Sequence, residues 1–151
     1  MKKLILSLAI ALTLFSTTFA NRVESVTERA AASFKKDFKK ASQVSWAEKN
    51  NYVLATFNID KQTLFAYYDF QGNLIGVVQN ILTTSLPEYL QKDIKKHYAD
   101  YWVSDLFQVT YDEGVYYYVQ LKNADQTIIL STEGSNIWHR YTLPKNNIEN
   151  L

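Results

Sequence analysis

The 151-residue chain has no cysteine, two prolines, four glycines and two histidines. Without cysteine there is no disulfide, thiol nucleophile, zinc–thiolate site or lipidated N-terminal cysteine. Scarce glycine and proline exclude a disordered or linker-rich chain. Charge of one sign is missing too, with sixteen Lys and Arg against fifteen Asp and Glu. Such balance gives no electrostatic reason to expect nucleic acid or an anionic membrane as partner. His97 and His139 stand apart from any His or carboxylate at a metal-binding spacing such as HExxH, so both read as structural or surface residues. No glycine-rich phosphate loop and no GxSxG elbow occurs. Asp69-Phe70-Gln71-Gly72-Asn73 lacks the alternating acids and closing glutamate of a calcium loop and reads as a hairpin turn, as does Asp112-Glu113-Gly114. No catalytic residue, cofactor or metal is assigned, and the chain is not read as an enzyme.

A bilayer-spanning run is lacking as well, since a transmembrane helix needs about 20 apolar residues. Leu4 to Phe15 is shorter, follows Lys2 and Lys3, and leads to Thr18-Phe19-Ala20. That is the layout of a signal peptide over residues 1–20, cleaved after Ala20, with Asn21 as mature start and the periplasm or the medium as destination. No stable membrane insertion is expected after cleavage. Taking Lys2 and Lys3 away leaves fourteen basic residues against fifteen acidic ones.

What the mature chain does have is rings: twenty aromatic residues once Phe15 and Phe19 are set aside, eleven of them tyrosine. Tyrosine on strands makes a surface that is apolar in body and polar at the tip. Val26, Ala30, Phe34 and Phe38 recur at helical spacing and predict a helix over Val23–Lys40 with a lysine-rich solvated face. Period-two alternation predicts strands at Gln43–Trp46, Tyr52–Ile59, Thr63–Phe70 and Leu74–Ile81. Thr84 or Ser85 is expected to cap a second helix with Pro87 in its first turn and Leu86, Leu90, Ile94 and Tyr98 as its apolar stripe. Strands follow at Val103–Tyr111, Val115–Lys122, Thr127–Thr132 and Ile137–Leu143, and residues 145–151 read as a flexible tail.

The two halves superpose in sequence at a shift of roughly 60 to 64 residues. Phe34 and Phe38 fall on Ile94 and Tyr98, Trp46 on Phe107, Tyr52 on Tyr116, Phe57 on Leu121 and Gly72 on Gly134. The expectation is an α+β fold of tandem α-β4 repeats, about 23–82 and 84–143, within a single domain over 21–144. Set edge to edge, the repeats form one curved antiparallel sheet with two helices on one face and an open concave face opposite.

Val-Ser-Trp on a strand after the first helix, then "YVLATFNID", "YYDFQGNLI" and "LPEYLQKDIKKHY", resemble the PepSY-like, β-lactamase-inhibitor-like exported bacterial domains. The resemblance covers roughly Ser33 to Tyr141. It implies tandem α-β4 repeats and, for the inhibitor itself, a concave aromatic face that grips a β-lactamase. The inhibitor is disulfide-bonded and this chain has no cysteine, and none of its contact residues maps here one to one.

Alternation selects the residues of the open face. On the sixth strand Val115, Tyr117, Val119 and Leu121 make the better core set, leaving Tyr116 and Tyr118 outward. Tyr52, Leu54, Phe65 and Tyr67 are their counterparts in the first half, and Trp138 and Arg140 are assigned to the same face on the last strand. Tyr, Trp and Arg are the types enriched where interfaces hold most of their energy. These eight residues are expected to bind an envelope protein or peptide, inhibiting it or holding it; the alternative is a small-molecule carrier using the same trough.

Overall fold

Eleven elements follow one another through residues 26–142, the part of the chain that the computed structural model describes. The predicted signal peptide, Leu143 and the predicted tail lie outside the described residues. Helix α1 (Val26–Asp37) precedes β1 (Ser42–Glu48), β2 (Val53–Ile59), β3 (Gln62–Tyr68) and β4 (Leu74–Asn80). A 3₁₀ turn, Thr83–Ser85, leads into α2 (Glu88–His97), which precedes β5 (Trp102–Tyr111), β6 (Gly114–Lys122), β7 (Thr127–Ser131) and β8 (His139–Arg140). The expected α-β4 order therefore occurs twice.

The strands form one antiparallel meander in the order β1 to β8. Local chemistry sets its turns. Asp60 and Lys61 both take positive φ, 49° and 68°, which closes β2 on β3 with the backbone that two-residue hairpins favour. Between β3 and β4, Asp69 accepts the N–H groups of Gln71 and Asn73 at 2.9 and 2.8 Å and the Asn73 amide at 2.9 Å. Its carboxylate serves the turn and leaves no cation loop. Thr84 and Ser85 do not cap α2, contrary to expectation: they belong to the 3₁₀ turn, and Pro87 occupies the cap position without a side-chain bond. Gln91 donates its side-chain amide to the Leu86 carbonyl at 2.8 Å and so ties the first turn of α2 to the chain before it.

Both helices lie on one face of the sheet, as the ladders establish. Ala66, buried beneath α1, pairs with Val77, and Val77 pairs with Thr110. Thr110 shares its side of β5 with Leu106, which is buried in the cluster beneath α2. Two cores result. Beneath α1 are Ala30, Phe34, Val53, Ala55, Phe57, Ala66 and Tyr68; beneath α2 are Leu86, Leu90, Ile94, Leu106, Val119, Leu121, Ile128 and Leu130, with Trp138.

Two expectations about facing are overturned. Trp138 is only 6% exposed and sits in the second core, its indole N–H donating to the Leu90 carbonyl at 3.1 Å. Arg140 pairs with Leu130, a core residue, so it also belongs to the helix-bearing side and not to the open face. The physical reason is one of parity: Trp138 and Arg140 alternate together, and a large ring gains more by filling the gap under α2 than by facing water. The alignment of Trp46 with Phe107 shifts by one residue for a related reason. β1 and β5 each carry a bulge near their start, between Ser42 and Ser45 and between Val103 and Asp105. Trp46 then pairs with Ala55 as Leu106 pairs with Val119, and Phe107 turns to the opposite face.

Candidate functional site

The face that carries no helix is built by alternation. Across the middle of the sheet Phe65, Val78, Val109 and Tyr116 are consecutive ladder partners, and Phe107 opposes Tyr118. One end of this face is hollowed into a trough of about 920 Å³. Six rings line it, those of Tyr52, Tyr67, Phe107, Tyr111, Tyr118 and Tyr141, with Val78, Val109 and Ile129 between them. No charged side chain lines it.

Five of the six rings pack against another ring. Tyr52 and Tyr67 pack at 5.2 Å between centroids, Tyr111 and Tyr116 at 5.9 Å, and Tyr118 and Tyr141 meet edge-on at 5.3 Å. Tyr111 crosses the β4–β5 seam onto Gly76. A Cβ at Gly76 would stand 2.8 Å from Cδ1 of that ring, so any other residue would displace it. The glycine thus forms part of the floor at the junction of the two repeats.

Tyr118 donates its O–H to Oε2 of Glu133, while the Glu133 N–H donates to Ser131 Oγ at 2.9 Å. Burial first, and then the bond to Glu133, hold the Tyr118 hydroxyl above the usual phenol range. Tyr67 is pushed up by burial and by Tyr52 and Tyr111 nearby. Tyr111 is pushed up by burial and then by the Glu133 charge. These hydroxyls stay neutral under physiological conditions, so the trough offers ring faces, hydroxyl tips and no base.

Tyr52, Tyr67 and Tyr118 meet in the trough as expected, and Tyr116 supports it through Tyr111. Leu54 and Phe65 share the open face by ladder, opposite Tyr67 and Val78, but lie outside the trough's lining. Arg140 borders a separate depression with Thr127 and Ile128. The structure adds Phe107, Tyr111 and Tyr141. Alternation along β5 carries the signal for the first two. Tyr141 has the parity opposite to Trp138, so both misplacements share one origin, and its ring meets that of Tyr118 in the trough.

No metal cluster occurs among the described residues. His97 pairs with Asp93 at 2.8 Å along α2. Ser135 Oγ lies 3.3 Å from His139 Nδ1, but donates to the Ile137 carbonyl at 3.0 Å and stands in an exposed loop outside the trough. No helix among the described residues is long and apolar enough to cross a membrane.

No family profile matches the chain, and neither does any curated protein sequence. Solved structures do share its fold. A BLIP-like protein from Bacteroides fragilis matches with a TM-score of 0.67 and 17% identity, over 77% of this chain and 85% of the other. A DUF2874 family protein from Bacteroides uniformis matches with a TM-score of 0.64 and 16% identity, over 68% and 78%. A protein from Bacteroides eggerthii whose name places it in the periplasm matches at 0.65 and 12%, over 79% and 91%. The chain has the fold of BLIP-like proteins: one open eight-stranded antiparallel sheet with two helices.

Proposed function

We propose that this protein is an exported, non-catalytic binding module that grips an envelope protein or peptide with the aromatic trough of its open sheet face. One observation carries the reading: six rings, four of them packed in pairs, line a hollow on the sheet face that no helix covers. Apolar patches of that kind on monomers mark interaction sites, and pre-arranged tyrosines lose little side-chain entropy on binding. Export is supported by the signal-like N-terminus and by the likeness in fold to a protein named for the periplasm. The fold likeness to a BLIP-like protein fits a module that acts by contact, and the trough holds no nucleophile–base pair.

The test is a photo-crosslinking residue placed at Tyr67 in the trough and, separately, at Tyr89, which is exposed on α2. The proposal expects one discrete envelope adduct from position 67 and none from position 89. Identical adducts from both, or none from 67 in the producing cell, would overturn it.

A small-molecule carrier is the second reading, favoured by a hollow whose volume falls in the range of about 300–1,000 Å³ typical of ligand pockets. Native mass spectrometry of the gently purified protein decides it, since a carrier shows an added mass that Tyr118→Ala loses.

A further inference from the structure

In a meander every second connection falls at the same end of the sheet. The β1–β2, β3–β4, β5–β6 and β7–β8 connections therefore cluster, and they carry Asp69, Asp112, Glu113 and Glu133 against a single Lys49. The opposite end is balanced, with Lys39, Lys40 and Lys61 against Asp60, Asp100 and Asp125. A chain of near-zero net charge thus has one acidic end. The trough opens at that end, because Asn51 and Tyr52 belong to the β1–β2 connection, Ile75 stands near the start of β4, and Tyr111 ends β5.

The carboxylates nearest the rings are not neutralised. Asp112, Glu113 and Glu133 make no ion pair among the described residues. Oε2 of Glu133 is tied to Tyr118, which fixes the carboxylate at the trough's edge and leaves Oε1 to a visitor. Arg29 serves the helix side of this end, donating from Nε and Nη2 to the Phe70 carbonyl at 3.0 and 2.7 Å. Ring faces carry negative quadrupole potential, and cations over such faces gain most where water is excluded.

We infer that the trough accepts a basic side chain, arginine or lysine, presented on a loop of a protein partner, with its charge between the tyrosine faces and the carboxylates of Glu113 and Glu133. This rests on the binding-module reading and names the chemistry of the partner. A wholly apolar loop would satisfy the rings but leave the carboxylates facing a dry contact, which is costly. An acidic loop would be repelled. A flanking apolar residue on either side of the basic one would fill the hollow between Val78 and Ile129.

The experiment titrates the ¹⁵N-labelled protein with a capped pentapeptide, Ala-Phe-Arg-Phe-Ala, and with its twin in which neutral citrulline replaces arginine. The arginine peptide should shift the amides around Val78, Tyr118 and Ile129 and bind about fivefold or more tightly than the citrulline peptide. In the Glu113→Gln/Glu133→Gln variant, which keeps side-chain shape and an acceptor for Tyr118, the preference for arginine over citrulline should vanish. Equal affinity for the two peptides in the trough would overturn the inference and leave the binding module standing. Shifts confined to other surfaces, or no shifts with either peptide, would overturn it too, and the crosslinking at Tyr67 would then decide the broader reading. Full preference surviving in the double variant would overturn the inference as well, since the charge would then not be held by Glu113 and Glu133.

Discussion

The two repeats build one architecture from opposite kinds of packing. Under α1 three small residues, Ala30, Ala55 and Ala66, are flanked by rings from Phe34, Phe57, Trp46 and Tyr68. At the matching places under α2 stand Leu90, Val119 and Leu130, flanked by Ile94, Leu121 and Leu106. Large replaces small at the first set of places and small replaces large at the second, so the two cores fill the same layout with different pieces. The first repeat brings its rings together in a chain of contacts, Phe34 meeting Trp46 at 5.3 Å and Phe57 at 4.8 Å. The second has one buried ring, Trp138, which comes from outside its strands, with Tyr98, Tyr101 and Tyr117 packed at its margin.

The tie between helix and hairpin differs in the same way. In the first repeat a helix side chain reaches the loop, since Arg29 donates to the Phe70 carbonyl. In the second a loop side chain reaches the helix, since Trp138 donates to the Leu90 carbonyl. Each repeat needs its last connection pinned to its helix, and either direction of donation serves. The lesson is that the repeat preserves the tie between its last connection and its helix and not the residues that make it.

The largest expected break is in the second repeat. Trp138→Ala empties the centre of its core and removes a buried donor, and should lower unfolding free energy by about 3–5 kcal/mol in a denaturant titration. A loss under about 1 kcal/mol would mean that the second core closes without its ring. Gly72 and Gly134 sharpen the contrast next. Both have positive φ, 87° and 77°, but a Cβ at Gly72 would stand 2.9 Å from the Arg29 backbone carbon, whereas Gly134 has open space. Gly72→Ala should therefore cost about 1–3 kcal/mol more than Gly134→Ala, the usual penalty for overpacking. Equal costs would show that the β3–β4 turn is free to move off α1.

Tyr68 gives a smaller effect of the opposite sign. It is fully buried and its hydroxyl has no hydrogen-bond partner. Tyr68→Phe should leave stability unchanged or raise it by about 1 kcal/mol, because an unsatisfied buried hydroxyl is removed. A clear loss would point to a water bound there.

The smallest effects concern pH. Raised phenol pKa values at Tyr67, Tyr111 and Tyr118 mean that the folded state holds these protons more tightly than the unfolded chain. Their contribution is complete below the ordinary phenol value of about 10 and fades as pH rises through the folded values. Asp69 works the other way. Hydrogen bonds from Asn73, first its side chain and then its backbone, lower its pKa, so its contribution is present above the ordinary carboxylate range and is lost as pH falls. Hydrogen exchange should show the β3–β4 turn loosening in acid before the β7–β8 connection, and alkaline melting temperatures should decline less steeply in Tyr118→Phe.

Much of the site was legible. Tyr116, Tyr118, Tyr52 and Tyr67 follow from alternation alone, because a strand with one buried face leaves no choice about the other. Phe107 and Tyr111 are legible once β5 is counted from beyond its bulge, since alternation from Leu106 to Tyr111 is unbroken, whereas a count that starts at Val103 is shifted by one residue. Alternation groups Trp138 with Arg140 but does not say which of the two sets on so short a strand as β8 faces the helices, and the gap under α2 decides it.

The amino-acid sequence by itself determined the α+β class, the twofold succession of a helix and four strands, and the inward set on β2 and β6, since these depend on local periodicity and turn chemistry. Tertiary structure alone decided that Trp138 plugs the second core, that Tyr111 lies across Gly76 at the seam, and that Glu133 is tied to Tyr118 at the edge of the trough. Those outcomes depend on which distant segments meet, and contact across the fold is a property no local pattern carries.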